Sequence, residues 1–226
     1  MATLYIIGTP IGNLGDISFR AVEILKKVDT VACEDTRRTL KLLSHLGIRT
    51  SLLSCRAGNE ESAAGKVVAL LDAGKDAAYA SDAGTPALSD PGAALVRAST
   101  AAGHRVIPIP GPSAFASLVS VAGGMDKTVI FEGFLSPKAG RRRSRLRELL
   151  TLDTAFVLYE SPFRILKLLE DLAELERERY VCVGREMTKI HEEYIRGSAA
   201  EICVYFAGKE AQMGEFSVYV SGKKAD

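Results

Sequence analysis

The chain has 226 residues, 47% of them hydrophobic, which is enough for a substantial core in one large α/β domain or two smaller ones. Apolar runs such as residues 3–7 and 128–131 are far shorter than a bilayer crossing requires, and the opening MATLYII lacks the basic flank and long apolar stretch of a secretory signal. The net charge of +1, from 29 basic and 28 acidic residues, argues neither for nor against a nucleic-acid partner, so the distribution of charge is what informs.

In chain order, TLYII at residues 3–7 reads as a buried strand, followed by the turn region Gly8 to Asp16. Ser18 begins an amphipathic helix with Phe19, Val22, Ile24 and Leu25 on its apolar side. After a short strand near Thr30 to Cys33, Glu34-Asp35-Thr36 opens a helix carried by Leu40, Leu42, Leu43 and Leu46 and closed by Gly47 as a C′ glycine. A strand near Ser51 to Leu53, a helix over roughly Glu60 to Leu71 and a strand from Ala77 to Ala80 lead into YASDAGTPALSDPG, residues 79–92. That stretch combines two glycines, two prolines and two aspartates. It predicts a shaped ligand loop at a strand's carboxyl end, with Asp90, Pro91 and Gly92 capping the next helix and proline at its first position. A strand over Arg105 to Ile109 and the turn PGPS follow, and then a helix ends in Gly123-Gly124.

Beyond that glycine pair the texture changes. The pattern predicts a strand from Thr128 to Phe131, a polar and basic loop from Gly133 to about Gly140, a helix over Arg141 to Leu150, and a strand from Ala155 to Tyr159 ending in ESP. A helix from Phe163 to about Glu176 turns Ile165, Leu168, Leu169 and Leu172 toward the core. Strands follow at Tyr180 to Gly184, Glu193 to Arg196 and Phe216 to Val220, with Ser198 capping a short helix. The first part alternates short strands and helices, which predicts a mainly parallel sheet covered on both faces, with ligands beyond the strands' carboxyl ends. The second part has strands in adjacent pairs and predicts a mixed sheet. The boundary falls near residues 112–125, giving domains 1–115 and 116–226.

Cys33, Cys55, Cys182 and Cys203 are scattered and lie mostly in apolar context, predicting buried free thiols and a cytoplasmic protein. Three histidines with no close Cys/His spacing speak against a zinc site. GTPIGNLGD places Gly8, Gly12 and Gly15 between strand and helix. It has neither GxGxxG spacing nor a GK[ST] ending, so it serves either close approach to a ligand or a structural turn. Asp82 either accepts hydrogen bonds from a ligand or caps its own turn, and Ser113 either receives a polar group at a helix start or simply caps it. Glu34, Asp35, Arg37 and Arg38 form one polar cluster at a strand end, Tyr159, Glu160 and Ser161 a second, and Arg185, Glu186, Lys189, His191 and Glu192 a third. Residues 138–147, KAGRRRSRLR, hold six basic residues and no acid, and read either as a solvated helix start or as a phosphate-binding patch.

Taken together and in this order, GTPIGNLGD, CEDTRRT, SDAGTPALSDPG, PGPSA, GFLSPKAGRRR, YESPFRI and REMTKIHEEYIRG resemble the tetrapyrrole-methylase-like superfamily over nearly the whole chain. More narrowly they resemble its small-subunit ribosomal RNA 2′-O-ribose cytidine methyltransferase branch. The resemblance implies a two-domain α/β enzyme, commonly a homodimer, that needs no metal and binds S-adenosylmethionine in a cleft between its domains. By that resemblance Pro10, Asp82, Ala83, Gly84, Ser113 and Ala114 contact the cofactor from the first domain, and Tyr159, Phe163 and Met187 from the second. The implied substrate is a cytidine in the decoding region of 16S rRNA. Asp35, Arg37, Arg38, Lys138, Arg141, Arg142, Arg143 and Arg185 then become substrate-side contacts. Glu34 and Glu160 are the carboxylates placed to hold or deprotonate the hydroxyl, and Lys189 the cation that eases developing alkoxide charge.

Three departures from the branch stand out. Phe163 replaces an expected histidine, Arg56-Ala57-Gly58 replaces a His-rich segment, and the branch often continues into a small helical C-terminal domain where this chain ends. The competing readings are a methyltransferase for a corrinoid or porphyrinoid precursor, and a non-catalytic ribosome-binding factor.

Overall fold

A computed structural model of the chain describes residues 2–87, 92–124, 126–209 and 212–222. They form two compact units, Met1–Ser113 and Ala114–Asp226.

The first unit alternates strand and helix: β1 (Thr3–Ile7), α1 (Phe19–Lys27), β2 (Thr30–Cys33), α2 (Thr36–His45), β3 (Ser51–Ser54), α3 (Glu60–Asp72), β4 (Ala77–Ala80), α4 (Ala93–Ala101) and β5 (Arg105–Ile109). Its sheet has the order β3-β2-β4-β1-β5, and every pair is parallel. The central strand β4 shows why its sequence, AAYA, is apolar throughout. Ala77 and Tyr79 pack with Ala63, Val67 and Leu95 on one face, while Ala78 and Ala80 pack with Leu25, Val31 and Leu43 on the other. Helix ends follow local chemistry: the Ser18 and Asp35 side chains cap α1 and α2, and Gly47 follows α2 at φ +67°. Phe19 and Leu40, expected on apolar helix faces, are instead exposed; α1 meets the core through Ala21 and Leu25, with Val22 and Ile24 packed against it, and α2 through Leu43. Helix α4 begins at Ala93 with Gly92 as its N-cap; Asp90 and Pro91 of the expected cap lie outside the described residues.

The second unit comprises α5 (Ala114–Ala122), β6 (Val129–Phe134), α6 (Ala139–Thr151), β7 (Ala155–Glu160), α7 (Ile165–Leu175), β8 (Tyr180–Arg185), β9 (Glu193–Ser198), α8 (Ala199–Ala207) and β10 (Phe216–Val220). Its sheet, ordered β6-β7-β10-β8-β9, is mixed: β6 runs parallel to β7 and the other neighbours are antiparallel. One face buries Phe156, Leu158, Val183 and Val218 against Leu146 and Leu149 of α6, Leu168 and Leu172 of α7 and Ile202 of α8. Toward the opposite face Leu118 of α5 sits against Gly184. The expected capping by Ser198 is a full capping box with Glu201.

One boundary moves. Strand β6 continues through Gly133 to Phe134, where a loop was expected, and α6 starts at Ala139, so only residues 135–138 connect them. A register shift between Phe131 and Gly133 absorbs one extra residue and lets pairing resume at Phe134 opposite Tyr159.

All four cysteines are free, and Cys33, Cys55 and Cys182 are buried. Burial pushes the Cys55 thiol up to about 11, so it stays protonated and inert.

Candidate active site

Three loops leave the carboxyl ends of the adjacent strands β4, β1 and β5, and hydrogen bonds join them. The Thr9 N–H donates to the Gly84 carbonyl at 2.9 Å, and the Gly84 N–H returns a bond to the Thr9 carbonyl at 3.0 Å. The Gly8 N–H donates to the Ile109 carbonyl at 3.0 Å, and the Thr85 hydroxyl to the Pro112 carbonyl at 3.3 Å. Gly8 and Gly111 meet backbone to backbone; a Cβ added to Gly111 would stand 2.5 Å from the Gly8 carbonyl oxygen. These two glycines exist for close approach of chain to chain. The loop after β1 is therefore a packed junction, and its backbone groups are largely satisfied.

Asp82 reaches outside its own turn. Its Oδ1 accepts the Asp35 N–H at 2.9 Å, and its Oδ2 lies 3.5 Å from Nε of the exposed Arg38. Asp35 in turn accepts the Arg37 N–H at 2.9 Å and pairs with the Arg37 guanidinium at 2.7 and 3.0 Å, which holds its carboxyl well below the usual carboxylate range. A chain of carboxylates thus runs from the β4 loop to the first turn of α2 and fixes how Glu34 and Arg38 leave β2. Beside it lies a cavity of about 120 Å³ bounded by Thr9, Pro10, Ser81 and Asp82 on the loop side and Arg38 and Lys41 on α2. Drug-sized ligands occupy pockets of roughly 300–1,000 Å³, so this cavity fits one polar moiety of such a ligand. Ala83 is exposed at the loop tip, and Ser113 and Ala114, where α5 begins, are half-buried.

In the second unit the ESP segment behaves differently from expectation. Glu160 is 3% exposed. Its Oε1 accepts the Ser161 N–H at 2.7 Å and pairs with Arg164 at 2.6 Å, and its Oε2 has no hydrogen-bond partner among the described residues. Arg164 also reaches the Ser161 hydroxyl at 3.3 Å and the Leu135 carbonyl at 3.5 Å. Glu160 is committed to shaping its own loop, and the i,i+4 spacing to Arg164 was the sequence signal for it. Tyr159, one residue earlier and on the opposite face of the sheet, lies in an aromatic series, and Phe163 is 89% exposed.

The third polar cluster is a tight, ion-paired turn. Glu186 and Thr188 both adopt left-handed backbone, at φ 48° and 67°, around Met187. The Met187 side chain is buried against Gly184. Lys189 bonds to Glu186 at 2.8 Å and Glu215 at 3.0 Å; desolvation opposes its charge, but the two carboxylates outweigh this and hold the ammonium above its usual range. Arg185 donates to the Met213 carbonyl at 2.7 Å and pairs with Glu193 at 3.2 Å. His191 is exposed.

The basic stretch on α6 divides by helical position. Arg142, expected to meet substrate, is 5% exposed and bonds to Asp171 of α7 at 2.7 Å, because it occupies the inward stripe with Leu146, Leu149 and Leu150. Arg143 pairs with Glu174, and Arg145 with Glu132 and Glu148. Lys138, Arg141 and Arg147 are exposed and carry no ion pair among the described residues. Among those residues no group of three or more His, Cys, Asp and Glu side chains could hold a metal ion, and no helix is long and apolar enough to cross a membrane.

Comparison with known proteins meets this geometry. Residues 3–203 match the family described as Tetrapyrrole (Corrin/Porphyrin) Methylases. The ribosomal RNA small subunit methyltransferase I of Borrelia garinii subsp. bavariensis is 48% identical, with 96% of this chain and 98% of that protein covered. The protein of the same name from Thermotoga maritima is 43% identical over 99% of this chain and 100% of its own, and that from Pseudomonas aeruginosa 42% identical over 99% and 80%. Among solved structures, uroporphyrin-III-C-methyltransferase from Thermus thermophilus aligns with a TM-score of 0.68 at 16% identity, covering 98% of this chain and 94% of that one. A cobalt precorrin-4 methyltransferase aligns at 0.66 and 16%, covering 97% and 94%; at this identity the likeness is one of fold. With its parallel first sheet, its mixed second sheet and near-full-length identity to these relatives, the chain belongs to the tetrapyrrole methylase family, in its ribosomal RNA small subunit methyltransferase I branch.

Proposed function

We propose that this protein transfers a methyl group from S-adenosylmethionine to RNA of the small ribosomal subunit, and that the acceptor is the ribose 2′-oxygen of a cytidine in the decoding region of 16S rRNA. The observation that carries this reading is the 48% identity to a ribosomal RNA small subunit methyltransferase along 98% of that relative's length. The corrinoid alternative rests on the broader family description and on structures 16% identical, which share the fold. A homodimer, working in the cytoplasm, belongs to the same proposal.

The residues present suit the cofactor. When bound, S-adenosylmethionine supplies an electrophilic methyl group on a positively charged sulfur. By resemblance to the family, Pro10, Asp82, Ala83, Gly84, Ser113, Ala114, Tyr159, Phe163 and Met187 are the residues we assign to cofactor contacts. The cavity between Asp82 and Arg38 accepts one polar end of a zwitterionic ligand. The 2′-hydroxyl is a weak acid, so its oxygen must be aligned behind the methyl group and its proton received. Glu34, half-buried just after β2, is the carboxylate we assign to that task by the family resemblance. Lys189, paired with Glu186 and Glu215, is the cation we assign to easing the developing alkoxide charge. For RNA, Lys138 and Arg141 are the contacts retained, whereas Arg37, Arg38, Arg143 and Arg185 are drawn to carboxylates and Arg142 is internal.

The test is transfer of labelled methyl from S-adenosylmethionine to purified small subunits lacking the modification, with naked rRNA alongside and mass mapping of the product. Label on one decoding-region cytidine ribose is the expected result. Cofactor binding without transfer to either RNA substrate would overturn the reading and turn attention to corrinoid precursors; absence of cofactor binding would point to a non-catalytic ribosome-binding factor.

A further inference from the structure

The bulge in β6 places an aromatic ring where an ordinary strand would not. Strict alternation would send Phe131 and Phe134 to opposite faces of the sheet. The register shift between Phe131 and Gly133, with Gly133 at φ 73°, turns both toward Tyr159. Tyr159 is bracketed by them, with centroids 5.0 Å from Phe131 and 5.8 Å from Phe134, and Phe115 of α5 stands 5.4 Å behind Phe131. All three contacts are edge-to-face, which suits a fixed aromatic array. The outermost ring, Phe134, is 56% exposed. The chain then runs from Phe134 directly into Lys138 and Arg141, two of the exposed α6 cations without ion pairs among the described residues.

Resting on the RNA-methylation reading above, we propose that Phe134 is a stacking platform for an unpaired nucleobase of the RNA substrate, with Lys138 and Arg141 taking the adjoining phosphates. Single-stranded RNA is held by this combination of an aromatic face for the base and cations for the backbone. The cations also select among ligands: S-adenosylmethionine carries an adenine but no phosphate, so an exposed ring followed within seven residues by two exposed cations matches a nucleotide in a strand better than the cofactor. Tyr159 supports Phe134 edge-on from one side, which leaves the other side of the ring for a base.

The chain contains no tryptophan, so Phe134→Trp introduces a unique emitter at the site. With a single-stranded oligoribonucleotide of decoding-region sequence as the probe, emission from the introduced indole should be quenched along the same curve as RNA binding measured by filter retention. Phe134→Ala should weaken RNA binding about 5- to 100-fold with the salt dependence unchanged. Phe134→Leu should weaken it nearly as much, since it keeps apolar bulk and loses the ring face, while Arg141→Gln should change the salt slope instead. RNA binding that leaves the indole unquenched overturns the proposal. So does quenching by S-adenosylhomocysteine alone, which would assign the ring to the cofactor, or emission that follows protein concentration without RNA, which would assign it to a subunit contact. Wild-type protein that retains no RNA also overturns the proposal, while the functional reading is judged separately by methyl transfer to small subunits, in an assay that does not involve position 134.

Discussion

The two units hold their strand-end loops by different physical means. In the first unit, backbone closes the structure: paired N–H and carbonyl groups link Thr9 to Gly84, and Gly8 lies against Gly111. In the second, charge closes it: Glu160 with Arg164, Lys189 with Glu186 and Glu215, and Arg142 with Asp171. A backbone-built loop cluster uses no charge for its own closure, so Asp82 and Arg38 beside it stay at the cavity. An ion-paired one removes cations from the pool that could meet phosphate, so the count of basic residues on α6 overstates its electrostatic reach. Only those on its outward side remain for a nucleic acid.

The largest expected effect breaks the charge side of this comparison. Asp171→Ala leaves the Arg142 guanidinium buried without its carboxylate and should cost about 3–5 kcal/mol in denaturant unfolding. Arg142→Met together with Asp171→Leu should recover most of that loss. A loss below about 1 kcal/mol for the single variant would mean the pair is not structural.

On the backbone side, Gly111→Ala forces the loop after β5 away from Gly8 and should cost about 2 kcal/mol, with weakened S-adenosylmethionine binding in calorimetry. Gly140→Ala on the exposed start of α6, where a Cβ meets nothing within 4 Å, should have the opposite sign, raising stability by up to about 1 kcal/mol. Equal effects at the two positions would end the claim that the junction is built on close approach.

Smaller again is the division within α6. Arg141→Gln should lower RNA affinity uniformly across sequences and reduce the salt slope by about one, whereas Arg143→Gln, already paired with Glu174, should change the slope by less than half of that.

The smallest effect is a pH dependence. Desolvation opposes the Glu186 charge, but Lys189 and the Glu215 N–H outweigh it and depress the carboxyl below its ordinary 4.5. A depressed carboxyl stabilises the fold above 4.5 and loses that contribution as pH falls through the folded value. Lys189, raised above 10.5, keeps its side of the pair until more alkaline pH. The stability difference between wild type and Glu186→Gln should therefore be level between these limits, less than about 1 kcal/mol, and vanish in acid. A difference that persists unchanged at about pH 2 would assign the effect to packing.

Much of the fold was legible because it is local. Ser18, Asp35 and Ser198 sit at the helix starts their side chains predict, and the strand–helix rhythm through Ile109 implies parallel strands since each crossover needs a helix. The inward placement of Arg142 was also within reach, because it stands four residues before Leu146 and seven before Leu149 on the buried stripe. The run RRRSR drew attention by charge and hid that periodicity. The β6 bulge was not legible: Phe131 to Phe134 gives no sign of where pairing with β7 slips, since register depends on the partner strand.

The sequence by itself determined the elements, the order of the special loops, the interior of free thiols and, through its seven motifs, the family. These depend on neighbours along the chain or on whole-chain likeness. Tertiary structure alone decided which carboxylates and cations are already satisfied, that Asp82 ties the β4 loop to α2, and that Phe134 joins Tyr159 on one face. Such outcomes turn on Coulomb pairs and ring contacts between residues tens of positions apart, and only the folded chain sets those distances.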